Sequence, residues 1–148
     1  MNLFYNEGGN IYIAPIIEAA NTSIRWVQVL PFLFFLLFLV AIPLLAHLEE
    51  KIFRKGNHKW PDIIKQSVVF GLIHCLVGIS LAAGIALIGT GFFYANKYRK
   101  TYLKELKEHN DHTRAEEQAV LVSTTYHSFY NSVIIITLIA LQAITVLN

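Results

Sequence analysis

The sequence predicts an all-α membrane protein, a four-transmembrane-helix bundle with a cytoplasmic helical hairpin between helices 3 and 4. Three observations lead there. The chain of 148 residues is 55% hydrophobic, with a mean hydropathy of +0.48. Three stretches hold no Asp, Glu, Lys or Arg: 26–46, 66–96 and 118–148. Eleven of the twelve Lys and Arg fall between those stretches, from Lys51 to Lys65 and from Lys97 to Arg114, and only Arg25 lies elsewhere. A span needs about 20 apolar residues, so each stretch is long enough to cross a bilayer.

The charges set the number of spans. One helix over 66–96 would put the two basic segments on opposite sides of the membrane, against the positive-inside rule. It would also be about 46 Å long, against a hydrocarbon core of about 30 Å. Two shorter helices joined by a turn near Val77-Gly78-Ile79-Ser80 remove both conflicts. Four spans then leave both basic loops in the cytoplasm and both termini outside. The whole chain, 1–148, reads as a single membrane domain. Residues 1–25 form an extracytoplasmic segment that carries Glu7 and Glu18 and lacks the basic leader of a signal peptide. The expected location is a bacterial inner membrane or an equivalent membrane, with the chain passing through it several times in contact with lipid.

Each element has its own signals. Helix 1 is expected from about Ser23 to Arg54, capped by Asn21, Thr22 or Ser23 and bent at Pro31 and Pro43. Helix 2 starts at Pro61, a favoured first-turn residue, followed by Asp62. Helix 3 runs from about Ser80 past Tyr94 into the cytoplasm, where Tyr94, Tyr98 and Tyr102 recur at a spacing of four. Asn110-Asp111 forms a turn, and Thr113-Arg114-Ala115-Glu116 fits a capping box at the start of helix 4. Residues 97–121 make the hairpin. Helix 4 is polar and aromatic over 123–132 and almost wholly apolar over 133–147. A polar segment at membrane depth needs a wet cavity or polar partners.

The basic segments flank spans, so no nucleic-acid surface is expected. The lone Cys75 excludes an intrachain disulfide and a multi-Cys metal site, and reads as a small packing residue. His109-Asn-Asp-His112 falls at a turn and reads as solvated, and His47 as a cap or surface residue. No HExxH motif occurs, so neither a metal nor another cofactor is expected, although one Glu and two His would suit zinc.

The polar residues inside the apolar stretches carry the functional signal, because ionisable groups at membrane depth are costly. Glu50 and Arg54 stand four apart with the acid first, the favourable order for a helical ion pair. That pair would close the cytoplasmic end of helix 1 and leave Glu49 on an adjacent face. His74 lies nine residues beyond Lys65, about 13 Å along helix 2, with Phe70 one turn earlier. His127 and Asn131 share a face of helix 4. Each has a bland alternative: a solvated helix-end acid, a packing histidine, an interhelical hydrogen-bonding pair. Together, Glu49, His74, His127 and Asn131 suit hydrolysis. A glutamate can activate water, and imidazole and amide N–H groups can stabilise an oxyanion.

In order, Glu49-Glu50-x-x-x-Arg54, Phe70-x-x-x-His74 and His127-x-x-x-Asn131 resemble the EExxxR, FxxxH and HxxxN motifs of the CAAX-protease and bacteriocin-processing family of glutamic intramembrane proteases. Residues 83–94, rich in glycine, resemble that family's helix between the second and third motifs. The similarity spans about residues 26–148. It implies a glutamate-dependent, metal-independent intramembrane endopeptidase that cleaves a membrane-associated peptide or protein. Glu49 would activate water with help from His74, His127 and Asn131 would form the oxyanion site, and Glu50, Arg54 and Phe70 would support them. The hydrophilic hairpin replaces the short connection usual in the family, and the extra N-terminal helices of larger members have no counterpart here. Hence a second expectation: a non-catalytic assembly or structural subunit of a larger membrane complex, docked on the 97–121 hairpin. A third, a haem or pigment ligand at His74 or His127, has no macrocycle-pocket signal behind it.

Overall fold

The computed structural model describes residues 25–147 and is all-helical over them. Four helices follow one another: α1 (Arg25–Phe53), α2 (Trp60–Leu76), α3 (Leu81–His109) and α4 (His112–Leu147). The proposed caps at Asn21, Thr22 and Ser23 lie outside the described residues. Pro31 and Pro43 both sit inside the continuous α1.

The turns form where residues of unusual backbone freedom stand. Gly78, at φ 84°, reverses the chain between α2 and α3, a conformation that costs glycine little. Ser80 then caps α3, its Oγ accepting from the Ala83 N–H at 3.3 Å. Asn110, at φ 51°, closes α3 with its N–H donating to the Leu106 carbonyl. The cap of α4 differs from expectation. Asp111, not Thr113, accepts from the Arg114 N–H at 3.1 Å. Asp111 stands three residues before that donor, the position that presents its carboxylate to the open first turn.

α3 packs against both α2 and α4, and α4 packs in turn against α1, whereas α1 and α2 barely touch. The α2–α3 contact is close because glycine stands on both sides. A Cβ on Gly71 would lie 2.5 Å from the Gly84 carbonyl oxygen, and one on Gly84 2.5 Å from Cys75 Sγ. Cys75 is thus a packing residue. The separation of α1 from α2 leaves a cavity of about 770 Å³ lined by all four helices.

Much of the exterior along the helices is apolar. Leu37, Val40 and Leu76 are 73%, 82% and 81% exposed, with Leu44, Ile52, Phe129 and many others open as well. Such a surface is unlike that of a soluble monomer. Among the described residues two helices are long and apolar enough to cross a membrane, over Val29–Phe53 and His112–Ile144.

The segment 97–121 is a helical hairpin turning at Asn110-Asp111. It is the continuation of α3 and the start of α4, packed on each other through Tyr98, Tyr102, Ala115, Ala119 and Val120. Its tyrosine ladder faces inward, because Tyr94, Tyr98 and Tyr102 are all buried. Tyr98 Oη accepts from the Gly56 N–H, and Arg99 Nε donates to the His58 carbonyl. These bonds tie the α1–α2 loop to α3.

Candidate active site

Helical periodicity at the end of α1 turns two adjacent acids to different surroundings. Glu50 is fully buried, whereas Glu49 is a third exposed and lines the cavity. Four residues past Glu50, the buried Arg54 brings Nε to 3.5 Å from Glu50 Oε2. Arg54 also lies over the Phe70 ring, at 4.9 Å from its centroid. Gly91 of α3 leaves room for both, since a Cβ there would stand 2.8 Å from Phe70 Cδ1 and 3.2 Å from Arg54 Nη2. The expected Glu50–Arg54 pair therefore forms at the end of α1, and it is buried rather than solvated.

His127 reaches the same acids from α4. Its Nδ1 lies 2.9 Å from Glu50 Oε1, a buried hydrogen bond across 77 residues of sequence. Its Nε2 lies 3.6 Å from Glu49 Oε2. Tyr94 of α3 stacks on the ring at 4.5 Å and 18°, and Phe70 of α2 meets it edge-on at 5.7 Å. All four helices thus contribute to the surroundings of one imidazole.

His74 occupies the α2 wall of the cavity. Its Nδ1 is 2.6 Å from the Phe70 carbonyl. Donation to that carbonyl sets the proton on Nδ1 and leaves Nε2 as the basic nitrogen of the neutral ring. Asn131, one turn beyond His127, lines the same cavity with Tyr130. The structure therefore brings Glu49, His74, His127, Asn131 and Phe70 to one cavity, with Glu50 and Arg54 packed behind it. Among the described residues no direct ion pair joins Glu49 to His74. Glu49 faces His127 instead.

The cavity is polar at this cluster. Away from it the lining is apolar, through Ile73, Val77, Leu87, Ile134 and Ile135. Arg54 Nη1 and Nη2 and Tyr94 Oη are buried with no protein hydrogen-bond partner among the described residues. Buried water ordinarily serves such groups. No group of three or more His, Cys, Asp or Glu side chains among the described residues is arranged to hold a metal ion. His127 turns a different nitrogen to each carboxylate, so one ion cannot take all three as ligands.

Sequence reasoning missed the Glu50–His127 bond and the Tyr94 stack. The spacing of Glu50 to Arg54 pointed along α1, and nothing in a sequence pairs residues on α1 and α4. Two further histidines are also better connected than expected. His47 is neither cap nor free surface, since its Nδ1 lies 3.3 Å from Thr124 Oγ1 of α4. His112 Nδ1 lies 2.8 Å from Tyr102 Oη, because the turn at Asn110 folds α4 back along α3.

A second cluster stands beyond the site. His58 stacks on Tyr102 at 3.6 Å and 7° and brings Nε2 to 3.3 Å from Glu116 Oε1. Burial pushes the His58 imidazole below its ordinary value, Glu116 pulls it back up, and His112 adds to the lowering. Burial likewise pushes the Tyr98 hydroxyl up to about 12.

No family model, curated protein or solved structure is found to match this chain.

Proposed function

We propose that the chain is a metal-independent intramembrane peptidase in which Glu49 activates a water molecule to cleave a membrane-associated peptide or protein. One observation carries the reading. Glu49, His74, His127 and Asn131, drawn from three distant segments, line a single cavity with a polar end and apolar walls. Glu49 combines a free cavity face with a neighbouring imidazole, as a general base requires. His74, with Nε2 unprotonated in the neutral ring, accepts a hydrogen bond from the same water. Asn131 supplies an amide donor to the oxyanion. Glu50 and Arg54 neutralise each other behind the site.

The four-span arrangement is part of the proposal. α1 and α4 are long enough to cross alone. α2, at 17 residues, is about 26 Å long and crosses a locally thinned bilayer. The apolar exterior and the clustering of basic residues at the loop ends support this reading.

The test is turnover of membrane-anchored peptides by the full chain in liposomes, followed by mass spectrometry. Glu49→Gln keeps the shape and removes the proton acceptor, so turnover should fall by about 10²–10⁴. His74→Ala should fall similarly. Asn131→Ala should lose roughly 2.7–4 kcal/mol of transition-state stabilisation. A chelator should change nothing. Activity that survives Glu49→Gln removes Glu49 as the base.

The internal ion-pair network also fits a second reading, a non-catalytic subunit of a larger membrane complex. Arg54, Glu50 and His127 tie α1 to α4 whether or not chemistry occurs. That reading takes over if the wild type cleaves nothing and Glu49→Gln releases the chain from a membrane assembly.

A further inference from the structure

Glu50 has no face on the cavity, yet it makes a close polar contact to a residue that does. Its Oε1 lies 2.9 Å from His127 Nδ1, and the carboxylate is fully buried and held on its other oxygen by Arg54. An ionised carboxylate only accepts hydrogen bonds. The proton of this bond therefore belongs to His127 Nδ1. The ring is clamped between Tyr94 and Phe70 and is 3% exposed, so it lacks the room to turn over and exchange its nitrogens. With Nδ1 committed, Nε2 is the nitrogen presented to Glu49, 3.6 Å from Oε2. That gap exceeds a hydrogen bond, but a modest rotation of the partly exposed Glu49 side chain closes it.

We infer that Glu50 is a positioning residue that holds the proton on His127 Nδ1, so that Nε2 carries a proton between Glu49 and the departing amine. The chemical half rests on the peptidase reading. It assigns His127 a role as acid in place of that of oxyanion donor, because a bare Nε2 has no proton to donate while the oxyanion forms. The steps balance. Water loses a proton to the Glu49 carboxylate while its oxygen bonds the scissile carbonyl carbon, giving the tetrahedral oxyanion. Glu49 passes that proton to His127 Nε2 and returns to carboxylate. The imidazolium, its Nδ1–H still on Glu50, delivers the Nε2 proton to the amide nitrogen. The C–N bond then breaks, leaving a carboxyl product, a neutral amine and His127 in its starting form. Glu50 accepts the same hydrogen bond throughout and never takes the proton, as expected of an acid that orients a histidine.

The positional half is testable without a substrate. The full chain is labelled with ¹⁵N in its histidine rings and embedded in nanodiscs at neutral pH. Long-range ¹H–¹⁵N correlation reports which ring nitrogens carry protons, and His127→Gln identifies the resonance. The expected result is a protonated Nδ1 on His127. A ring with its proton on Nε2 alone and Nδ1 bare overturns the inference. In Glu50→Gln the preference for Nδ1 should be lost, with protonation moving to Nε2 beside Glu49. If that variant does not fold, Glu50→Asp keeps the charge facing Arg54 while withdrawing the carboxylate, and should shift the ring the same way. An unchanged ring in a folded variant overturns the inference. In active preparations, Glu50→Gln should lower kcat by about 10²–10⁴ with little change in KM, and an unaltered kcat rejects the proton-carrying role. A correct tautomer with no cleavage of any peptide by the wild type rejects the peptidase reading and leaves the positioning intact.

Discussion

Adjacent residues can have opposite fates, and Glu49 and Glu50 show why. About 100° of helical rotation separates them. One lines a cavity and the other enters a buried interface. Burying a carboxylate is costly unless it is paired, so Arg54 and His127 converge on Glu50. His58 presents the reverse case. It is stacked on Tyr102 and partly buried, so the fold favours its neutral form. The unfolded chain then binds more protons below pH 6.5 than the folded chain does. The stability contributed by neutral His58 is thus fully present above that value and is lost as pH falls through the lowered folded value. Thermal unfolding in detergent, followed by circular dichroism from pH 7.5 to pH 5, should show a smaller acid loss in His58→Gln than in the wild type. Glu116→Gln should steepen the loss, because Glu116 is the group that holds the imidazole up. Equal slopes in all three proteins would place the acid sensitivity elsewhere.

At the scale of elements, glycine decides how closely α2 and α3 approach. A Cβ at Gly71 would collide with Ile88 Cγ1, the Gly84 carbonyl oxygen and the Ile88 backbone nitrogen. Two of those atoms are backbone and cannot rotate away. Gly71→Ala should therefore destabilise the protein by about 1–3 kcal/mol, the usual cost of overpacking. Gly89, five residues beyond Gly84 in the same helix α3, faces open space, and a Cβ there would meet nothing within 4 Å. Gly89→Ala should be neutral or stabilising by up to about 1 kcal/mol, through helix propensity alone. Denaturant titration of the two variants in mixed micelles separates the effects. A Gly71→Ala protein as stable as Gly89→Ala would show that α2 and α3 are not held this tightly. The turn at Gly78 and the left-handed Asn110 are further element-scale features, and both were visible as turn residues between periodic stretches.

For the whole molecule, the arrangement of charge predicts orientation. Both basic segments lie at the same end of the four-helix array, joined by the His58–Glu116 and Arg99–His58 contacts. Both termini should therefore be extracytoplasmic. In a Cys75→Ala background, Asn6→Cys should react with an impermeant thiol reagent added outside intact cells, and Lys104→Cys only after permeabilisation. External labelling at position 104 would sink the topology. The close packing of residues 97–121 on the α1–α2 loop also alters the view of that hairpin. Its tyrosines serve the fold, so a docking partner would have to use its exposed charged face.

The sequence by itself determined the helices, the turns at 77–80 and 110–111, and the short list of polar residues in or beside the apolar stretches. Those signals are local: apolar runs, loop charges, glycine and asparagine at reversals. They also singled out Glu49, His74, His127 and Asn131, because a polar residue in an apolar stretch is conspicuous wherever it points. The tertiary structure decided which of these meet. Glu50 bonds His127 rather than Arg54 alone, Glu49 faces His127 rather than His74, and the tyrosine ladder turns inward. Helix rotation and interhelical distance govern those contacts, and both arise from packing between residues far apart in the chain. The small glycines between α2 and α3, and the gap between α1 and α2, set them. Periodicity shows which residues share a helix face, but only the packed bundle shows what that face meets.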